Sequence, residues 1–317
     1  MVNWSTTAFV FPGQGSQTVG MSQDIAEAYP VARELFEQAD EILGFSLSNL
    51  CFNGPEDELN DTINTQPALF VSGMATLRAL QNELPDAKPV FVAGHSLGEF
   101  TALAAAGAIS FEDGLKLVRE RGRLMKEAGT RSPGAMAALL GLDADAVRSL
   151  VAQVSEATGK TLVLANDNCP GQIVISGDNA ALDTGLEAAK EAGARRAVKL
   201  AVSIAAHSPL MESVASEFRE ALAAANFSTP DVPVYGNVNA APLSDVAAIR
   251  QELDAQLTQS VRWTESVQAM IVAGAEQFIE LGPGDVLTGL LRRIDRSKKG
   301  IPLNSVDAIH SLTQADN

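Results

Sequence analysis

The stretch PVFVAGHSLGEFTALAAA, residues 89–106, decides the fold. Its apolar start, 89–93, has the length of a buried strand, and its alanine-rich end, 97–106, has the composition of a helix. Between them Gly94-His95-Ser96-Leu97-Gly98 matches G-x-S-x-G with a strand directly before it and a helix directly after it, the context that the motif's chemistry needs. On such a tight turn the serine hydroxyl stands exposed at the C-terminal edge of a sheet, and the glycines let the backbone approach closely. The helix N-terminus adds N–H groups and a positive dipole end where an oxyanion forms. The bland alternative is a glycine-rich turn with a capping serine.

Outward from this turn, strands and helices alternate. A second apolar run, 7–11, closes at Pro12 and Gly13, and helical patterns follow at 23–40, at 67–82, where Pro67 suits a first helical position, and at 113–128. The alternation predicts an α/β fold with a hydrolase-like core, a parallel sheet flanked by helices. After Ser132-Pro133-Gly134 the pattern changes to strand 135–140, helix 144–156, strands 161–165 and 172–176, helix 180–192 and strand 197–202. The order β-α-β-β-α-β is the ferredoxin-like split unit, and about 70 residues suffice to bury a core, so 132–203 reads as an inserted α+β subdomain. Helices at 245–257, 264–273 and 285–292 and strands at 277–281 and 301–306 resume the α/β pattern, which gives 1–131 and 204–317 to the core domain. The polar end, 313–317, is expected to fray.

With 317 residues, 46% of them hydrophobic, the chain has ample material for a core. A net charge of −16, spread along the chain, argues against nucleic acid and requires any acidic partner to meet a local basic patch. Cys51 and Cys169 have neither metal-ligand spacing nor the number of a disulfide framework, and read as free buried thiols. The first ten residues lack a basic segment with a long apolar run, and the most apolar helical stretch, 101–109, is too short for a bilayer, so the expectation is a soluble cytoplasmic protein.

A serine needs a base within hydrogen-bond reach. Of the three histidines, His95 adjoins the serine at a position that points away from its hydroxyl, and His310 lies near a tail expected to be mobile. His207 remains, where a strand leaves the inserted unit and the next helix begins before Met211; no acidic third member is marked by spacing. On the helix 113–128, at about 100° per residue, Leu115, Val118, Gly122 and Met125 share a face, and Arg121 falls among them. A guanidinium on a buried stripe is costly unless it meets a carboxylate. The wheel does not choose between a structural ion pair and a dicarboxylic acyl substrate.

Together these residues resemble the malonyl-CoA:acyl carrier protein transacylase family of trans-acting acyltransferases. The resemblance rests on FVFPGQGSQ (9–17), NTQPA (64–68), the elbow 94–99, Arg121-Gly122, Ser208-Pro209-Leu210-Met211 after His207, and Gly282-Pro283-Gly284. It implies Ser96 as nucleophile, His207 as general base and then acid, Gln14 and Leu97 as backbone donors of the oxyanion hole, and Gln256 as the residue whose carbonyl orients the histidine. It further implies Arg121 as the partner of the malonyl carboxylate and Gln66 as a residue of the same pocket. Malonyl-CoA and an acyl carrier protein would be the partners of a monomer, for fatty acid or polyketide synthesis, with no cofactor besides the carrier's phosphopantetheine. Carrier proteins are acidic, and Arg195, Arg196, Lys199, Arg292, Arg293, Lys298 and Lys299 are candidates for the landing surface.

Two positions depart from the family pattern. Phe100 stands where tyrosine is frequent, outside the expected chemistry, and Ala206 stands where a bulky phenylalanine is frequent, which leaves room for methylmalonyl. Two other functions share the main features: a serine hydrolase, which Arg121 and the inserted unit argue against, and a non-catalytic carrier-binding module.

Overall fold

The computed structural model describes residues 2–316. Among these residues ten strands fall into two sheets. β1 (Thr7–Phe11) and β2 (Phe91–Gly94) form the centre of the larger one, while β3 (Gly134–Leu140), β4 (Leu162–Cys169), β5 (Gln172–Asp178) and β6 (Arg196–Lys199) make the smaller. β7 (Val234–Tyr235), β8 (Pro242–Leu243), β9 (Gln277–Leu281) and β10 (Lys299–Leu303) complete the larger sheet in the order β10-β9-β1-β2-β7-β8. All its pairings are parallel except the edge pair β7 and β8. Every residue of β1 and β9 is buried, as expected of strands covered on both faces by helices.

The smaller sheet has the order β4-β5-β3-β6 and is antiparallel throughout. Its two faces have different tasks because side chains alternate along a strand. Ala135, Ala137 and Leu139 of β3 and Ile173 and Ile175 of β5 pack with Val147, Leu150 and Leu182 of the helices Ala144–Thr158 and Asn179–Glu191. Met136, Ala138, Gln172 and Val174 face the other way and roof a cavity over β2.

Several boundaries differ from the pattern-based reading. The helix expected over 23–40 is two, Gln23–Ala28 and Pro30–Leu43, because the residue before a proline avoids the helical region and Tyr29 is extended. Pro67 does not open a helix but lies inside Thr62–Glu83. A proline there frees the carbonyl four residues back, and Arg119 Nη1 takes the Ile63 carbonyl at 2.7 Å. The helix carrying Arg121 runs from Phe111 to Arg131 and buries the stripe that the wheel describes.

The strand expected at 197–202 ends at Lys199, and the one at 301–306 is Lys299–Leu303. His310 sits on the helix Val306–Asp316, its ring meeting that of Tyr29 edge-on at 6.5 Å, so this part of the end is built into the fold. Of the end expected to fray, 313–316 are helical and Asn317 lies outside the described residues. The helix expected to begin before Met211 is Glu212–Ala224, entered through the 3-10 turn Pro209–Met211, whereas the short helices Leu47–Asn53 and Glu56–Asn60 were absent from the pattern reading. Among the described residues no helix is long and apolar enough to cross a membrane.

Candidate active site

Ser96 stands between β2 and the helix Gly98–Ala105 with φ at +51°, the left-handed conformation that an elbow forces on a non-glycine residue. The two motif glycines are required by space. A Cβ on Gly94 would lie 1.9 Å from the Gly98 backbone, and one on Gly98 would lie 2.0 Å from the Phe11 carbonyl oxygen. Asn237 clamps the strained turn from the far side. Its Nδ2 donates to the Gly94 carbonyl and its Oδ1 accepts from the Ser96 amide, both at 2.7 Å. Asn237 is fully buried, yet it belongs to a loop after a two-residue strand, where no periodicity marks a side chain as important.

The Ser96 Oγ lies 2.8 Å from His207 Nε2, and His207 Nδ1 lies 2.8 Å from the Gln256 backbone carbonyl. A carbonyl only accepts, so Nδ1 carries the proton and Nε2 is left to receive one from the serine. The missing acidic member of the triad is thus replaced by a backbone oxygen at the end of the helix Val246–Gln256. Burial, and next the charge of Arg121, push the His207 imidazole down from 6.5 to about 3. At neutral pH it is therefore unprotonated, the form a general base requires.

Arg121 is 1% exposed and makes three hydrogen bonds, all to neutral oxygens: Gln66 Oε1 at 2.9 Å, Gln256 Oε1 at 2.9 Å and Ser96 Oγ at 3.1 Å. Its Nε has no partner among the described residues. Burial lowers it to about 10, opposed by Glu99, so the guanidinium stays charged at neutral pH. Phe100 lies beneath it, 5.5 Å from ring centroid to Cζ. The ring face of Phe100 thus supports the cation, a contact that a tyrosine at this position would also offer. Gln66 is fully buried and stands behind Arg121, its Nε2 held by Thr62 Oγ1 and Met125 Sδ.

A cavity of about 280 Å³ opens over Ser96, and Gln14, Leu97, Arg121, Ala206 and His207 are in its wall. The Ser96 amide is committed to Asn237, so it is not free to stabilise an oxyanion. The Gln14 and Leu97 amides donate to no protein acceptor among the described residues. Ala206 presents only a methyl group to the cavity. His95 turns from the serine, as its elbow position suggests, and its Nε2 meets Asn168 Oδ1 at 2.7 Å.

Three outcomes follow from this geometry. Asn237→Ala leaves a buried N–H and a buried C=O unpaired at the elbow, and chemical denaturation is expected to show a loss of about 2–4 kcal/mol; a loss under about 0.5 kcal/mol contradicts the clamp. For His207, the rate of Ser96 labelling by a fluorophosphonate is expected to hold as pH falls through 6.5, since the imidazole is depressed below that value. Arg121→Ala removes a cation that disfavours the imidazolium, so the acid limb of that profile is expected to move up toward 6.5; an unmoved limb contradicts the coupling.

Residues 8–310 match the acyl transferase domain family. The chain is 45% identical over 310 residues to the malonyl CoA-acyl carrier protein transacylase of Bacillus subtilis, covering 98% of this chain and 97% of that one. To the enzyme of the same name from Escherichia coli it is 44% identical, with 95% and 97% covered. An acyl carrier protein S-malonyltransferase from Vibrio cholerae superposes with a TM-score of 0.93 at 42% identity, covering 97% of this chain and all (100%) of that one. A malonyl-transacylase solved in complex with its type II PKS acyl-carrier protein superposes at 0.94, with 40% identity and 98% and 100% covered. By sequence and by fold, the chain belongs to the acyl transferase family, as a member of the malonyl CoA-acyl carrier protein transacylases.

Proposed function

We propose that the protein moves a malonyl group from malonyl-CoA to the phosphopantetheine thiol of an acyl carrier protein through an ester on Ser96. The observation that carries this reading is Arg121: a buried cation, 3.1 Å from the nucleophile, whose hydrogen-bond partners are all neutral. Burying a charge without a carboxylate partner is costly, and a malonyl carboxylate supplies what the fork lacks. In the first half-reaction His207 Nε2 takes the Ser96 proton while Oγ attacks the thioester carbonyl. The Gln14 and Leu97 amides receive the oxyanion, and coenzyme A leaves as the thiol with the proton from His207. In the second half-reaction the carrier thiol gives its proton to His207 and attacks the ester, and Ser96 leaves reprotonated. No step changes an oxidation state, so the scheme calls for no cofactor beyond the phosphopantetheine that the carrier brings.

The architecture fits two substrates of this kind. We read 1–131 and 204–317 as a hydrolase-like core domain and 132–203 as a ferredoxin-like subdomain whose free sheet face covers the acyl site. Two of the candidate cations, one from each part, converge. Arg195 packs on Gly141 and Arg293 reaches Gly171, while Gly141 and Gly171 are themselves bonded, N to O, at 3.0 Å. Arg293 Nη1 also holds Gln172, a cavity residue, at 2.7 Å. Arg292, Arg296, Lys298 and Lys299 line a separate hollow, and Lys299 pairs with Gln277 at the end of the sheet opposite Gly94. Arg195 and Arg293, at the cavity residue Gln172, are the proposed landing surface on an otherwise acidic monomer, and the place of action is the cytoplasm. Ala206 in the cavity wall favours a second donor, methylmalonyl-CoA, as an alternative.

Intact mass after incubation with malonyl-CoA is expected to show one malonyl adduct, absent in Ser96→Ala and lost on adding a pantetheinylated carrier. Prompt loss to water without carrier loading identifies a hydrolase, and no adduct in the wild type favours a binding module. Arg121→Ala is expected to lower malonyl transfer by about 10²-fold and acetyl transfer far less; equal losses make Arg121 structural.

A further inference from the structure

Glu99 is a buried carboxylate beside the nucleophile to which the acyl-transfer scheme gives no task. It lies on the first turn of the helix Gly98–Ala105, three residues after Ser96, and is fully buried. Its Oε2 accepts from Gln256 Nε2 at 2.7 Å, and its Oε1 has no partner among the described residues. The same Nε2 donates to the Ser96 carbonyl at 3.0 Å, while Gln256 Oε1 accepts from Arg121 at 2.9 Å.

A side-chain amide has two orientations, and here only one is compatible with its surroundings. Turned over, Gln256 would aim N–H groups at the guanidinium and its oxygen at a carboxylate and a carbonyl, so that each contact would become repulsive. Gln256 matters twice over, because its backbone carbonyl also orients His207 and its side chain orients Arg121. We infer that Glu99 is a positioning residue: as acceptor for Gln256 Nε2 it fixes the amide that presents Arg121 to an acyl carboxylate, and the interposed amide keeps Glu99 itself from occupying the fork. The inference rests on the malonyl-transfer reading above. Burial, and then the neighbouring Glu252, push the Glu99 carboxyl well up, whereas Gln256, the Asn237 backbone and then Arg121 oppose this. Oε2 accepts while the carboxyl is ionised or carries its proton on the unpartnered Oε1.

The test compares Glu99→Leu, which fills the space without an acceptor, with Glu99→Gln, which restores an acceptor. In the full chain, transfer from malonyl-CoA and from acetyl-CoA to a carrier is measured beside fluorophosphonate labelling of Ser96. Glu99→Leu is expected to lower kcat/KM for malonyl-CoA roughly tenfold or more, chiefly through KM, with acetyl transfer and labelling changed less than about threefold. Glu99→Gln is expected to return malonyl transfer to within about fivefold of wild type. Equal losses for both donors and for labelling would mean that Glu99 only supports the elbow, and unchanged malonyl transfer in Glu99→Leu would also overturn the inference. If Glu99→Leu shows no cooperative melt, Glu99→Gln decides alone, and a loss of malonyl transfer beyond about tenfold overturns it. A wild-type chain that loads no malonyl overturns both this inference and the function beneath it, whereas loading in the wild type with equal losses in the variant overturns the Glu99 assignment alone.

Discussion

A guanidinium with almost no exposure to water and no carboxylate in contact is the constraint around which this site is arranged. Arg121 cannot be left undirected in an apolar helix stripe, so each nearby polar side chain is committed to it or to a residue that holds it. Gln66 and Gln256 give oxygens, Phe100 gives a ring face, and Glu99 holds Gln256 in the useful orientation. The same cation lies against the Ser96 hydroxyl and, with burial, keeps His207 unprotonated. An anion entering the cavity therefore meets an imidazole, a hydroxyl and a cation that are already coupled. This is preorganisation in the electrostatic sense: the cost of burying the charge is met in folding, before substrate arrives.

The backbone constrains the site as tightly as the charges do. Gly94, Gly98 and the Phe11 carbonyl leave no volume for another atom, and Asn237 ties the strained Ser96 turn to a loop far along the chain. The smaller sheet contributes through the simple alternation of its strands. One face of β3 and β5 packs on its own helices, and the other supplies Met136, Ala138, Gln172 and Val174 to the cavity. A roof made from the back of an independent core can shape the acyl site without disturbing the elbow.

Much of this was legible in the sequence where the determining chemistry is local. The elbow combines an apolar run, two glycines and an alanine-rich helix within 89–106, and the Arg121 stripe follows from helical periodicity alone. His207 came from elimination, and the carbonyl of Gln256 came from family resemblance. The rest depends on contacts between distant residues. Nothing near Pro67 shows that Arg119 will take the freed Ile63 carbonyl, and Glu99 looks like an ordinary acidic residue of a first helical turn. Asn237 is a loop residue whose partners lie more than a hundred positions away, with |i−j| of 141 for Ser96 and 143 for Gly94. Arg195 and Arg293 become neighbours only because the turns at Gly141 and Gly171 meet.

The proposed role of Arg121 is to meet a carboxylate carried on the acyl group, and a crystal structure of the enzyme trapped with malonyl on Ser96 decides it. The terminal carboxylate is expected to take two N–H groups of the Arg121 fork, with the contact from Arg121 to Ser96 Oγ lost and Gln256 still held by Glu99. An ester on Ser96 whose carboxylate points to solvent, with Arg121 unmoved on Gln66, Gln256 and Ser96, would contradict it.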